Sequence, residues 1–160
     1  MITMAAKIEI TRLFWFNLTR ELHRRGRNKR ESGAFLLGRE ESARIVRVVF
    51  YDDLDPNCLD RGYIHFNGAG FVPLWKICQD EKLRVIADVH THPSTWTDQS
   101  ESDDANPMIA QKGHMALIIP NYARRLRFSL RGVGIFEYLG DGQWRQWPSP
   151  VSYTHLSALV

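Results

Sequence analysis

The chain is poor in sulfur. Its 160 residues include only two cysteines, Cys58 and Cys78, and no Cys-x-x-Cys pair, which excludes a thiolate zinc ribbon and leaves room for at most one disulfide. Both are expected to be reduced, small and buried. Long apolar runs are missing too: stretches such as Met115 to Pro120 fall far short of the roughly 20 residues that a bilayer-crossing helix needs. The opening residues, Met1 to Glu9, are mixed and contain Lys7, so the basic, apolar and small-residue order of a signal peptide is absent and cytoplasm is the expected compartment. There is no internal repeat and no low-complexity segment, which argues against a solenoid or a disordered chain.

Charge of one sign is scarce as well. Twenty-one basic residues against 18 acidic ones leave a formal +3, and much of the excess lies in Arg24-Arg25-Gly26-Arg27-Asn28-Lys29-Arg30. Such a run can meet phosphates. It also falls where a helix is expected to end, and cations stabilise a helix C-terminus in their own right, so the structural reading is preferred and a nucleic-acid partner is not expected.

What remains is an ordinary globular composition, 44% hydrophobic and 24% charged, at a length that fits one core. A single domain over residues 1–147 is expected, with 148–160 as a C-terminal tail of unassigned structure. Lys7 to Thr11 alternates as a short strand, and Thr11 can cap a helix carrying Phe14, Leu18 and Leu22 at four-residue spacing, closed near Gly26. Ala34 to Gly38 and Arg44 to Phe50 read as strands, and Asp52 to Asp60 as loop. Gly62 to Phe66 suggests a short strand, Phe71 to Lys82 a second helix, and Leu83 to Val89 a mostly apolar strand. Beyond it, Ser102 to Lys112 suggests a helix, Met115 to Pro120 and Arg127 to Leu130 strands, and Gly134 to Trp147 a hairpin about Asp141-Gly142. The order implies an α/β class.

The segment Val89-His-Thr-His-Pro-Ser-Thr-Trp-Thr-Asp-Gln-Ser-Glu-Ser-Asp-Asp104 carries the chemistry. Side chains alternate along a strand, so His90 and His92 share a side while Thr91 faces away. Two imidazoles so placed can serve zinc, and a catalytic zinc needs one further protein ligand and an open position for water. A surface or hydrogen-bonded pair is the plainer reading of the two histidines alone. Seven residues separate His92 from Ser100, and Asp103 lies three beyond it. Ser100 and Asp103 fit a helix capping box, and a carboxylate fixed in a first helical turn also suits a metal ligand. A zinc hydrolase further requires a carboxylate base near the metal. Glu31, at the mouth of the Ala34 to Gly38 strand, is a candidate, though the residues alone do not choose it over Glu40 or Glu41. Trp96 can line a substrate groove or plug the loop between the ligands. His23, His65, His114 and His155 stand apart from this constellation and read as surface or hydrogen-bonded residues.

Glu31 in E-S-G-A-F-L-L-G, followed by H-T-H-P and the Ser-x-x-Asp spacing, resembles the JAMM motif of the JAB1/MPN/Mov34 metalloprotease family, over roughly Lys7 to Tyr138. The resemblance implies a single MPN domain, a mixed curved β-sheet flanked by helices, with one Zn2+ per chain. It implies His90, His92 and Asp103 as zinc ligands, Glu31 as general acid/base and Ser100 as the group that hydrogen-bonds the oxyanion. Where family members often have two glycines, this chain has Gly33-Ala34. There is little room after Asp103 for the long insertions of ubiquitin-specific members, so the chain is similar to the compact bacterial branch. Members of that branch act on ubiquitin-like modifiers or sulfur-carrier proteins, including in antiphage conjugation operons. The expected function is a zinc peptidase or isopeptidase that processes a ubiquitin-like protein or its conjugate at the C-terminus, with no membrane partner. The alternatives are a catalytically silent MPN scaffold and a nucleic-acid-binding domain that uses Arg24 to Arg30.

Overall fold

The computed structural model describes residues 8–125 and 128–148, and the backbone of Leu156–Ser157. Lys7, Arg127, His155 and most of the 148–160 tail lie outside the described residues. A two-residue strand β1 (Ile10–Thr11) leads into helix α1 (Arg12–Gly26). Thr11 caps α1 by accepting from the Phe14 amide at 3.1 Å, and the left-handed closing residue is Arg27, one position past Gly26. The buried stripe runs through Trp15, Leu18 and Leu22, with Phe14 only partly covered.

Strands β2 (Gly33–Arg39), β3 (Ile45–Phe50), β4 (Leu83–Thr91), β5 (Met115–Ile119), β6 (Gly134–Gly140) and β7 (Gln143–Trp147) form one sheet in the order β3-β2-β4-β5-β6-β7. Only β4 and β5 are parallel, so the sheet is mixed and the class α/β, as expected. β1 pairs separately with β8 (Leu156–Ser157), in parallel. The β6–β7 turn has positive φ at both Asp141 and Gly142 (53° and 72°), the geometry that favours Asp-Gly in a two-residue hairpin.

Alternation along the strands sorts the core onto two faces. Leu36, Val89, Leu117 and Ile135 pack with Trp15, Leu18 and Leu22 of α1. On the other face, Phe35, Leu37 and Val85 pack with Tyr51, Leu59 and Leu74, beneath α3 (Phe71–Glu81). Phe35 is fully buried and meets Tyr51, Phe66 and Phe71 at ring separations of 4.8, 5.6 and 5.9 Å, so cutting it to Ala should cost about 3–5 kcal/mol.

Four expectations are corrected. The loop expected over 52–60 opens with a helical turn, α2 (Tyr51–Leu54). Residues 62–66 join no ladder; their backbone is satisfied locally, His65 N–H donating to Cys58 O at 2.8 Å, and Phe66 is spent on the aromatic cluster. The helix expected over 102–112 is only α4 (Glu101–Ala105), because Asn106 precedes Pro107 and the proline ring disfavours helical geometry at the residue before it. Phe128 and Ser129 form bends and Leu130 joins no strand.

The basic run is largely engaged within the chain. Arg24 and Arg25 bind Glu21, Arg25 also reaches Asp52 and Asp53 at 2.8 and 2.7 Å, and Arg30 lies 3.6 Å from Asp60. Both cysteines are free, Cys58 buried and Cys78 half-buried; burial pushes the Cys58 thiol up to about 12. Among the described residues no helix is long and apolar enough to cross a membrane.

Candidate metal centre

The site forms where β2 and β4 run side by side and the chain leaves β4 toward β5. Gly33 pairs with His90, and Thr91 N–H donates to Ser32 O at 2.9 Å. Continuing that register sets Glu31 opposite His92. Pro93 ends the strand, and the crossover to parallel β5 passes through α4. Ser100 caps α4 by accepting from Asp103 N–H at 3.1 Å, while Ser100 N–H donates to Asp103 Oδ2 at 2.9 Å. This is the expected capping box, and it fixes the Asp103 carboxylate over the strand end.

His90, His92 and Asp103 converge. Their inward atoms are separated by 3.1 Å (His90 Nε2 to His92 Nε2), 3.3 Å (His92 Nε2 to Asp103 Oδ2) and 3.5 Å (His90 Nε2 to Asp103 Oδ1). Tetrahedral donors about 2.0–2.1 Å from a zinc ion lie roughly 3.3–3.4 Å from one another. Both donor type and spacing therefore fit that ion. The histidines are 7% and 3% exposed, whereas Asp103 is partly open to the cleft. Asp98 and Asp104 are absent from the cluster: Asp98 accepts from Gln146 Nε2 at 3.0 Å, and the backbone carbonyl of Asp104 accepts from Trp144 Nε1 at 3.0 Å.

The electrostatics of the metal-free site are those of an ion-pair cluster. Burial would depress the His90 pKa, but the carboxylates of Asp103 and Asp88 reverse this and raise it to about 10. Burial would raise Asp103, and its bonds to His90 and His92 instead hold it well below the usual carboxylate range. Glu31 lines the same cleft. Its carboxyl is raised by burial, against the opposing pull of His90 and His92, and Oε2 has one weak backbone donor, Ile64 N–H at 3.4 Å. Glu40 and Glu41 lie exposed at the far end of β2, so position separates them from Glu31.

Trp96 holds the loop between the ligands against His92 and is not among the residues that line the cleft. Its ring stacks on His92 at 5.3 Å between centroids and is 50% exposed, and its carbonyl lies 3.1 Å from His92 Nδ1. That acceptor holds the Nδ1 proton and leaves the Nε2 lone pair aimed inward. The loop can lie this close because β6 begins with Gly134, where a Cβ would come within 2.1 Å of Thr97 O.

Some neighbours escaped the sequence reading. Asp88 is 2% exposed and accepts from His114 Nε2 at 2.6 Å and from Tyr51 Oη at 3.1 Å. His114, read from sequence as isolated, is thus joined to the site through Asp88. The period-two placement of Asp88 with His90 and His92 was the available signal. The other set-aside histidines stay outside the cluster: His23 Nδ1 meets Tyr122 O at 3.0 Å, and His65 is exposed along the cleft.

A family model of prokaryotic homologs of the JAB domain matches residues 18–130. The chain belongs to that family. This JAB domain shares its fold with a protein from Desulfitobacterium hafniense, whose solution structure matches with a TM-score of 0.57 and 20% identity over 88% of this chain and 89% of that one. A JAB1/MPN domain protein from Archaeoglobus fulgidus is similar at TM-score 0.47 and 15% identity, over 84% of this chain and 92% of that one. A Salinibacter ruber protein matches at TM-score 0.49 and 12% identity, over 87% and 95% of the two chains. The wider JAB/MPN family includes zinc metalloisopeptidases as well as catalytically inactive members.

Proposed function

We propose that this JAB domain is a zinc-dependent peptidase or isopeptidase that cuts at the C-terminal tail of a ubiquitin-like protein. The observation that carries the reading is the convergence of His90, His92 and Asp103 at zinc-donor spacing, with Glu31 in the same cleft. A zinc ion held by these three residues supplies Lewis acidity toward the scissile carbonyl and lowers the pKa of water. Glu31, partly buried and with a raised pKa, takes the proton from the attacking water and returns it to the departing amine. Ser100 Oγ accepts from Asp103 N–H, which leaves its own hydroxyl proton to donate to the oxyanion. Loss of Glu31, His90, His92 or Asp103 would leave the silent scaffold that occurs among relatives; here all are present and gathered.

The cleft, about 620 Å³, is lined by Glu31, His90 and Asp103 together with Ile64, Phe66, Met108 and Trp144. Residues 63–66, which pair with no strand, border it. Such a groove admits an extended tail, and Trp96 stands beside His92. Small residues next to the cut are expected, since bulky ones would crowd the ligand cluster. A bacterial conjugation operon, antiphage systems included, is the setting that supplies such a substrate, and cytoplasm the compartment. The deciding experiment offers the protein a ubiquitin-like protein with a C-terminal extension and follows new termini by mass spectrometry, with and without a chelator. Metal-dependent cutting at the tail is expected, and no cutting of any tail fusion would overturn the reading.

A further inference from the structure

Asp88 is a carboxylate with almost no solvent contact, directly after the apolar run Val85–Ala87 of β4. Burying such a charge is costly unless it is paired. Two separate segments meet to pair it. His114, just before β5, donates at 2.6 Å, and Tyr51, the first residue of α2, donates its hydroxyl at 3.1 Å. Tyr51 reaches this position only because residue 33 is glycine: a Cβ there would lie 2.3 Å from Tyr51 Cε2. The core would be simpler with an apolar residue at position 88, so the convergence calls for a role.

The geometry around His90 supplies one. His90 Nε2 faces His92 and Asp103 at 3.1 and 3.5 Å. Its other nitrogen, Nδ1, lies 4.0 Å from Asp88 Oδ2, which is beyond hydrogen-bonding distance but on the correct side. His92 already has an equivalent acceptor behind it, the Trp96 carbonyl at 3.1 Å from Nδ1. Asp88 itself is no part of the ligand cluster. We infer that Asp88 is a positioning residue of the metal centre: it keeps the His90 proton on Nδ1 and the Nε2 lone pair directed at the ion, while Tyr51 and His114 hold the carboxylate in place. Outer partners of metal-bound histidines typically fix tautomer and ring orientation in this way. Asp88 and the Trp96 carbonyl thus form a matched pair of acceptors, one per histidine.

The inference depends on the zinc reading above, and the test separates the two. Zinc affinity is measured by chelator competition with Zn2+ for the wild type, Asp88→Asn and Tyr51→Phe, alongside ring-nitrogen NMR spectra of the zinc-loaded proteins. Asp88→Asn should weaken zinc binding roughly 10- to 100-fold. It should also shift the His90 Nδ1 resonance and leave the His92 Nδ1 resonance unchanged. Tyr51→Phe keeps the carboxylate and loses one of its two donors, so a smaller loss in the same direction is expected. Should Asp88→Asn fail to fold, Tyr51→Phe decides alone. Folded variants with wild-type zinc affinity, whatever their melting temperatures, would make Asp88 purely structural and overturn the inference. A wild type that takes up no zinc would overturn the metal reading and this inference with it.

Discussion

Replacing Glu31 by Gln separates proton transfer from metal binding. The half-buried Glu31 side chain accepts a long hydrogen bond at Oε2 from Ile64 N–H, 3.4 Å, and the glutamine carbonyl oxygen can accept that bond equally well. The main-chain bond from Glu31 N–H to Gly62 O, 2.8 Å, is untouched by the change. Volume is conserved, and none of the three converging donor residues is altered. Fold and zinc content should therefore match the wild type. Lost are the proton acceptor and the later acid, which general acid/base catalysis values at roughly 10²- to 10⁴-fold, or about 2.7–5.4 kcal/mol of barrier at 1.36 kcal/mol per decade. The assay is single-turnover cleavage of a tail fusion at saturating enzyme, with zinc measured on the same sample. A near-wild-type rate in a zinc-replete Glu31→Gln protein would sink the mechanism, because the proton transfer would then not run through Glu31.

Ser100→Ala removes both a cap and the proposed oxyanion donor, so it should cost about 0.5–2 kcal/mol of stability and on the order of 10²-fold in turnover; a melting shift with an unchanged rate would leave Ser100 a cap alone. In the metal-free protein His90 has a pKa raised from 6.5 to about 10, so zinc must displace a proton below pH 10 and affinity should rise roughly tenfold per pH unit toward that value, measurable by titration calorimetry in two buffers. The same raised pKa means the metal-free ion cluster stabilises the fold fully below about pH 6.5 and loses that contribution as pH climbs through about 10; thermal melts of chelated protein should fall over this window. Offered a tail fusion with small residues at the cut, the same fusion with Trp there, and casein, the protein should cut the first only, and equal cutting of all three would indicate a general protease.

Much of this is legible in the amino-acid sequence because it follows from local rules. Strand alternation put His90 and His92 on one side, the Ser100–Asp103 spacing announced a cap, and Asp141-Gly142 specified its turn. What stayed hidden depended on contacts distant in sequence. Residues 62–66 have strand-like composition, but Phe66 is engaged by Phe35, Tyr51 and Phe71, and the backbone bonds to Cys58 and Glu31 in place of a ladder. The short α4 was signalled by Pro107, yet the apolar residues beyond it, Met108 and Ile109, suggested continuation; they pack instead against the core beneath α3. Asp88 shares the histidines' face by simple alternation, whereas its partners Tyr51 and His114 lie 37 and 26 residues away, and only the folded sheet brings them together. Trp96 left two readings open because its backbone carbonyl, which no residue type encodes, turned out to matter as much as its ring.

The central claim is that His90, His92 and Asp103 form a zinc site, and elemental analysis of the purified protein tests it most directly. About one zinc per chain is predicted for the wild type, with close to none for the His90→Ala, Asp103→Ala double variant. Secondary structure should be largely retained in the double variant and after chelation, since both faces of the sheet carry their own core. A full zinc equivalent in the double variant, or a wild type that binds none when zinc is supplied, would contradict the account.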